Sequence, residues 1–256
     1  MAAPLTPQDP LDEAASIRSE IATPGFWDNL AVNASTWANE ITAGPFWGSL
    51  TKSIDQWRTE YRQQCYADLL VSPGLPAFMG KRVDSIRDKF CRRWKRGGDS
   101  RNTVLPVDGP PIPQLRDLVR TRLTCPYVDG VEFLATKIET AAKDMEILLS
   151  RERQGSLQGY FAQHIAIKQL VFYRVGGAAV AVGLECEIQI ATALATRMWD
   201  ASHPVYETVR QDDAESREWQ WKPADPRFLS NQLGHMLHLA DGLLVQLRES
   251  LRKPRK

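Results

Sequence analysis

Apolar positions in the first third of the chain recur at helical spacing. Leu50, Ile54, Trp57, Tyr61, Cys65 and Leu69 fall on one stripe, as expected of a helix with a single buried face. Upstream, Pro24-Gly25-Phe26-Trp27 and Gly44-Pro45-Phe46-Trp47 each have a leucine three residues after the Trp. Two copies of one device are too few for a repeat array. They read either as aromatic anchors tying helix starts to the body or as a Trp-bearing partner surface.

Ser72-Pro73-Gly74-Leu75-Pro76 breaks the pattern, and a short basic helix follows, with Asp84 placed to cap it before Ser85-Ile86. Gly97-Gly98 ends that helix, and Pro106 to Pro113 reads as a loop. The period then changes. Leu118 to Cys125 is β-rich, Val128 to Lys143 is helical, and Met145 to Leu149 reads as a short strand. Ile165 to Val175 and Val180 to Ile190 are longer strands joined around Gly176-Gly177 as a hairpin. Asp225-Pro226 then opens a last helix with an apolar stripe running from Leu229 through Leu233, Met236, Ala240, Leu243 and Leu247 to Leu251. The pattern predicts an α+β protein, a mixed central sheet flanked by helices. Its expected parts are a helical N-terminal extension (1–75), a core (76–212) and a C-terminal helix packing on it (213–256).

Composition narrows the class. The apolar share of 43% and charged share of 25% over 256 residues suit a globular protein with a sizeable core. A net charge of +1 gives no global pull towards nucleic acid or membrane, so any such pull is local. The four cysteines show no short pair spacing and suit a reducing compartment. Residues 1–12 do not read as a signal peptide, and the apolar run Val175 to Leu184 is far short of the roughly 20 residues of a membrane span. A cytoplasmic protein is expected.

The most informative strand is Leu184-Glu185-Cys186-Glu187-Ile188-Gln189-Ile190. Alternation sends the apolar residues to the core and puts Glu185, Glu187 and Gln189 on the other face. That row is either solvated, as one face of many sheets is, or part of a site. His164 and Lys168 share a face of the preceding strand, Tyr160 stands before it ready to stack on a base, and Asp117 opens a strand carrying Arg120 and Arg122. A carboxylate such as Asp117 suits Mg²⁺, which favours one or two carboxylates plus phosphate oxygens. The cations Lys81, Arg82, Arg87, Lys89, Arg92, Arg93, Lys95 and Arg96 form either a solvated face or a polyphosphate or RNA site. Gly74 to Lys81 misses the P-loop spacing, and His235 with His238 lacks a third metal ligand.

Taken in order, these segments resemble the synthetase domain of the RelA/SpoT family, which makes (p)ppGpp-type alarmones, over about Lys81 to Tyr206. The resemblance rests on Lys81, Ser85-Ile86 and Lys89; on Asp117-Leu118-Val119-Arg120-Thr121-Arg122 and Cys125-Pro126-Tyr127-Val128-Asp129; and on Gly159-Tyr160 with His164. Glu187-Ile188-Gln189-Ile190-Ala191-Thr192, Met198-Trp199, His203 and Tyr206 complete it. Arginines usual in the family are replaced by Met79, Phe161 and Ala191, and a Pro-rich lead by Arg151 to Gly155. These departures leave the acceptor open.

The resemblance implies a nucleotidyltransferase-like synthetase fold and a stand-alone pyrophosphokinase, since the His-Asp pair of the family's hydrolase domain does not occur. It implies that Glu187 acts on the acceptor's 3′-hydroxyl, with Gln189 beside it and Asp117 as third catalytic residue. Asp117 and Glu187 would hold Mg²⁺. Lys81, Ser85, Lys89, Arg92 and Arg122 would bind ATP, and Tyr160 and His164 the acceptor, a purine nucleotide. One alternative is a toxin that pyrophosphorylates the 3′ end of tRNA, with an antitoxin docked on the Trp-rich N-terminal part. The other is an inactive nucleotide- or RNA-binding module.

Overall fold

The computed structural model describes residues 9–95, 97, 104–106, 108–155, 159–209 and 218–252, with the backbone alone over 203–209. Arg96, Gly98 and the side chains of His203 and Tyr206 therefore lie outside the described residues. The helices are α1 (Pro10–Ile17), α2 (Phe26–Thr42), α3 (Pro45–Cys65), α4 (Val83–Lys95), α5 (Val128–Asp144), α6 (Ala193–Val209) and α7 (Pro226–Arg252). The strands are β1 (Met79–Gly80), β2 (Val119–Cys125), β3 (Leu149–Gln154), β4 (Ala162–Val175) and β5 (Ala178–Thr192). They form one mixed sheet in the order β1-β2-β5-β4-β3, so the α+β architecture expected from the pattern is the one observed.

Local chemistry explains most boundaries. The β4–β5 turn is Gly176-Gly177 with φ of 55° and 81°, the positive values a two-residue hairpin turn of the tightest type needs. Asp225 caps α7 by accepting from the Arg227 amide at 2.8 Å. Three expectations shift. Asp84 lies inside the first turn of α4, which begins at Val83, where its charge still favours the helix N-terminus. Leu69 is buried but lies past the end of α3, because Tyr66 turns the chain with φ of 54°. Met145 to Leu149 is not a strand. Glu146 has φ of 55°, and the strand starts at Leu149 and runs through the charged Arg151 and Arg153.

The chain divides into two compact units. The first comprises Met1–Trp47, Ala77–Thr121 and Ala166–Glu187. Here α2 lies against β1 so closely that a Cβ on Gly80 would come within 2.6 Å of the Ser35 amide nitrogen. Trp37 donates its indole N–H to the Phe172 carbonyl at 2.9 Å, and buried Asn33 exchanges hydrogen bonds with the backbone of Arg174. Trp27 packs on Phe90 at 5.2 Å, and Trp47 on Phe78 at 4.7 Å. Phe26, Trp27, Phe46 and Trp47 are all buried. The repeated aromatic device therefore anchors helix starts, and the reading of it as a partner surface falls with its burial.

The second unit comprises Gly48–Pro76, Arg122–Ile165 and Ile188–Lys256. Leu50, Ile54, Trp57 and Tyr61 of the α3 stripe are buried, Cys65 at its end is partly so, and Tyr61 packs on Phe133 of α5 at 5.3 Å. Tyr61 also donates to Asp129 at 2.8 Å, and Arg248 of α7 pairs with the same carboxylate. The helix α7 rests on α6 and α5.

Candidate active site

In the first unit the site is a set of paired charges. Asp117 sits just before β2, with its side chain 8% exposed. Lys81 follows β1, where the register sets Gly80 opposite Val119, and its amide donates to the Leu118 carbonyl at 2.8 Å. That backbone bond brings the Lys81 ammonium to Asp117 Oδ2 at 2.6 Å. Lys89, two turns into α4, reaches Asp117 Oδ1 at 2.7 Å. Burial alone would raise the Asp117 carboxyl, but the Lys89 and Lys81 charges hold it well below the ordinary carboxylate range. Lys89 is itself lowered, because its own burial outweighs the pull of Asp117.

Ser85 is exposed on α4, and Arg92 pairs with Asp88 one turn earlier at 2.7 Å. Glu187 is 9% exposed on β5. Glu185, two residues before it, is half-exposed and accepts from Arg116 at 3.0 Å. The polar row of β5 is therefore solvated only at its Glu185 end.

In the second unit the site is aromatic. Tyr160 is 6% exposed, packed with Ala162 and Ala191, and its ring lies 4.6 Å from Trp199 of α6 and 6.1 Å from His164. Gly159, with φ of 65°, lets this segment run directly against α7, where any Cβ would come within 2.6 Å of the Asn231 carbonyl oxygen. Gln189 is 8% exposed, and its Oε1 accepts a long bond from Arg122 Nε at 3.5 Å. The same guanidinium pairs with Asp200 of α6 at 3.2 Å. Arg122, expected among the ATP ligands, contacts Gln189 and Asp200 here.

Two contributors were not singled out from sequence, Asp200 as the partner of Arg122 and Arg116 as the partner of Glu185. Neither has a local signal, since each partner is about 70 or more residues away in the chain. The departures from the family pattern also find places. Phe161 stacks on His238 at 3.8 Å with rings 1° from parallel, Ala191 is fully buried, and Met79 is exposed opposite Arg120. Among the described residues no three His, Cys, Asp or Glu side chains gather as a metal cluster. No helix there is long and apolar enough to cross a membrane.

No family model and no curated protein matches the chain. Solved structures do. The chain has the fold of the small alarmone synthetases. Small alarmone synthetase 1 of Bacillus subtilis, bound to its product pppGpp, superposes with a TM-score of 0.58 at 13% identity, over 90% of this chain and 100% of that one. A second structure of that protein gives 0.54 at 14% identity, over 88% and 97%. Small alarmone synthetase 2 of the same organism gives 0.50 at 14% identity, over 84% and 99%.

Proposed function

We propose that the chain is an ATP-dependent pyrophosphokinase that transfers the β,γ-pyrophosphate of ATP to the 3′-hydroxyl of a purine nucleotide. The observation that carries this reading is the buried Asp117 carboxylate held by two ammonium groups at 2.6 and 2.7 Å. A set of two ammoniums on one carboxylate carries an excess positive charge and exchanges partners readily: arriving phosphates take Lys81 and Lys89, and the carboxylate is released to a cation. Asp117 is already ionised, so no proton has to leave first. Asp117 and Glu187, two carboxylates buried in the first unit, would hold Mg²⁺, an ion that takes one or two carboxylates and completes its shell with phosphate and water. When bound, it would screen the triphosphate charge.

The remaining chemistry belongs to the chain's own residues. The acceptor's 3′-oxygen attacks the β-phosphorus, the bond from the β-phosphorus to the α,β-bridging oxygen breaks, and AMP leaves with that oxygen. Glu187 takes the hydroxyl proton, and Gln189, steadied by Arg122, orients the ribose. Ser85 and Arg92 face the nucleotide from α4, and Tyr160 with His164 receives the acceptor base. Positioning and electrostatics supply most of the rate in such transfers, so no covalent enzyme intermediate is needed. The small alarmone synthetase 1 structure with pppGpp supports a guanine nucleotide as the first acceptor to offer.

The test offers γ-labelled ATP with Mg²⁺ and, in parallel, GDP, GTP, ADP and tRNA. Label on a guanine or adenine nucleotide is the expected result. Label on tRNA alone would replace the acceptor and favour the toxin reading. No labelled product from any acceptor would refute the enzyme and leave the nucleotide-binding module.

A further inference from the structure

Helix α7 meets the second unit with its polar side. Leu229, Leu233, Met236, Leu243 and Leu247 of its apolar stripe are exposed, whereas Asn231, Gly234 and Asp241 are buried. Counted from Asn231, the residues Gly234, His235, His238 and Asp241 fall three, four, seven and ten places on, which is one face of a helix.

That face touches the frame of the aromatic cluster at three points. A Cβ on Gly234 would come within 1.7 Å of the Gly159 carbonyl oxygen, so the backbone ahead of Tyr160 rests on the helix with no side chain between. The residue after Tyr160 is held by rings. Phe161 stacks on His238 at 3.8 Å with the rings 1° from parallel, and meets His235 at 5.2 Å with the rings 75° apart. Thr192, the last residue of β5, donates its hydroxyl to Asp241 at 2.5 Å and accepts from the Ala195 amide at 3.1 Å. It thereby caps α6, the helix that carries Trp199. His235 and His238, a pair spaced for a metal but with no third ligand gathered among the described residues, act here as flat rings.

We infer that His238 is a positioning residue for the acceptor: by stacking on Phe161 it fixes the segment Gly159–Phe161, and so the Tyr160 ring, in the orientation that receives the acceptor base. This rests on the proposed role of Tyr160 and extends it to a helix that carries none of the family motifs. Gly159, with φ of 65°, leaves the backbone before Tyr160 permissive, so the constraint comes from the residue after it. Without the stack only a fraction of molecules would hold Tyr160 in the competent orientation, and apparent affinity for the acceptor falls by that fraction.

Steady-state kinetics of the full chain, with ATP and whichever acceptor it labels, test this. His238→Ala should raise the acceptor KM by about 3–10-fold, the worth of one stacked ring pair, with kcat and the ATP KM unchanged. His238→Phe keeps a flat ring and should restore the wild-type value. If His238→Ala does not fold, His238→Leu fills the same space without a flat ring and makes the same comparison. Amide hydrogen exchange, which needs no turnover, should be faster over residues 159–165 in His238→Ala and unchanged in His238→Phe. An unaltered acceptor KM in His238→Ala, an equal rise in both KM values, or a loss that His238→Phe does not restore overturns the positioning role alone. A fall in the acceptor KM does so too, since the stack would then hold the site shut. A wild-type chain that labels no acceptor removes the proposed function, and the acceptor role of this contact with it, even where exchange shows the segment held.

Discussion

The cluster around Asp117 and the cluster around Tyr160 are both buried, yet they are built from opposite chemistry. The first is one carboxylate shared by two ammoniums, a set with an excess positive charge whose ion pairs can be exchanged for a charge on a ligand. The second is a tyrosine ring whose neighbours, Trp199, His164 and two alanines, already fill its surroundings. Water-excluded ions strengthen whatever charge enters, so the first cluster is preassembled for an anion. The second is closed, and a base reaches Tyr160 only if neighbouring side chains yield. Under the proposed function, the first cluster would supply binding strength and the second selectivity.

The largest expected effect tests the proposal that β5 bears the reacting group. Glu187→Gln keeps shape and burial but removes the proton acceptor, and single-turnover transfer should fall by roughly 10²–10⁴-fold. The thermal midpoint should stay within a few degrees of wild type. Near-normal turnover would remove Glu187 from the chemistry and leave Asp117 as the carboxylate to examine.

Asp117→Asn breaks the charged cluster from its centre. Two buried ammoniums lose their counter-ion, and stability should fall by on the order of 3 kcal/mol, read from urea unfolding at pH 7. Adding Lys81→Met to that variant should recover part of the loss, as a shared partner requires. The sign with pH follows from the depressed Asp117 carboxyl. Its stabilisation is fully present above the unfolded value of about 4 and fades as pH falls below it. Between pH 6 and pH 3 the wild type should therefore lose more stability than Asp117→Asn. Equal losses would mean the ion pairs add nothing.

What could be read from the chain alone follows the same division. Spacing alone left Lys81 and Lys89 as part of either a solvated face or a polyphosphate site; only the family resemblance grouped them with Asp117, and their pairing with it is made by the packing of β1, β2 and α4. Glu187 and Gln189 were legible as one face of β5, although alternation could not tell a solvated row from a buried one. Burial is decided by distant segments. Trp199 appeared in a motif, but its contact with Tyr160 depends on how α6 returns to the sheet. Asp200 carried no local signal. The apolar stripe of α7 was visible as a period, but the choice of inward face was made by Gly234, Asp241 and Arg248. Those contacts lie with Gly159, Thr192 and Asp129, which periodicity does not see.

The aromatic cluster is sharpened by a pair of substitutions. Tyr160→Ala removes a stacking surface worth about 1–3 kcal/mol per base, so the acceptor KM should rise about tenfold or more with the ATP KM unchanged. Trp199→Ala uncovers the Tyr160 ring and should lower the acceptor KM a few-fold. If both variants raise it alike, Trp199 is itself the platform and Tyr160 only supports it.

The smallest effect separates two roles for Arg122. Family resemblance makes it an ATP ligand, whereas its contacts here are Gln189 at 3.5 Å and Asp200 at 3.2 Å. Arg122→Lys keeps the charge but loses the planar fork, and one ammonium on a flexible stem cannot steady both partners in a fixed plane. If the guanidinium positions Gln189, kcat should drop by roughly 3–10-fold, as expected when a reacting group is held less firmly, while the ATP KM stays unchanged. Asp200→Asn should give a weaker loss in the same direction, because it releases the guanidinium from one side only. If Arg122 instead grips the triphosphate, Arg122→Lys should raise the ATP KM and Asp200→Asn should leave both constants alone. A steady-state titration of ATP at saturating acceptor decides between them, since the two roles load the same substitution onto different constants.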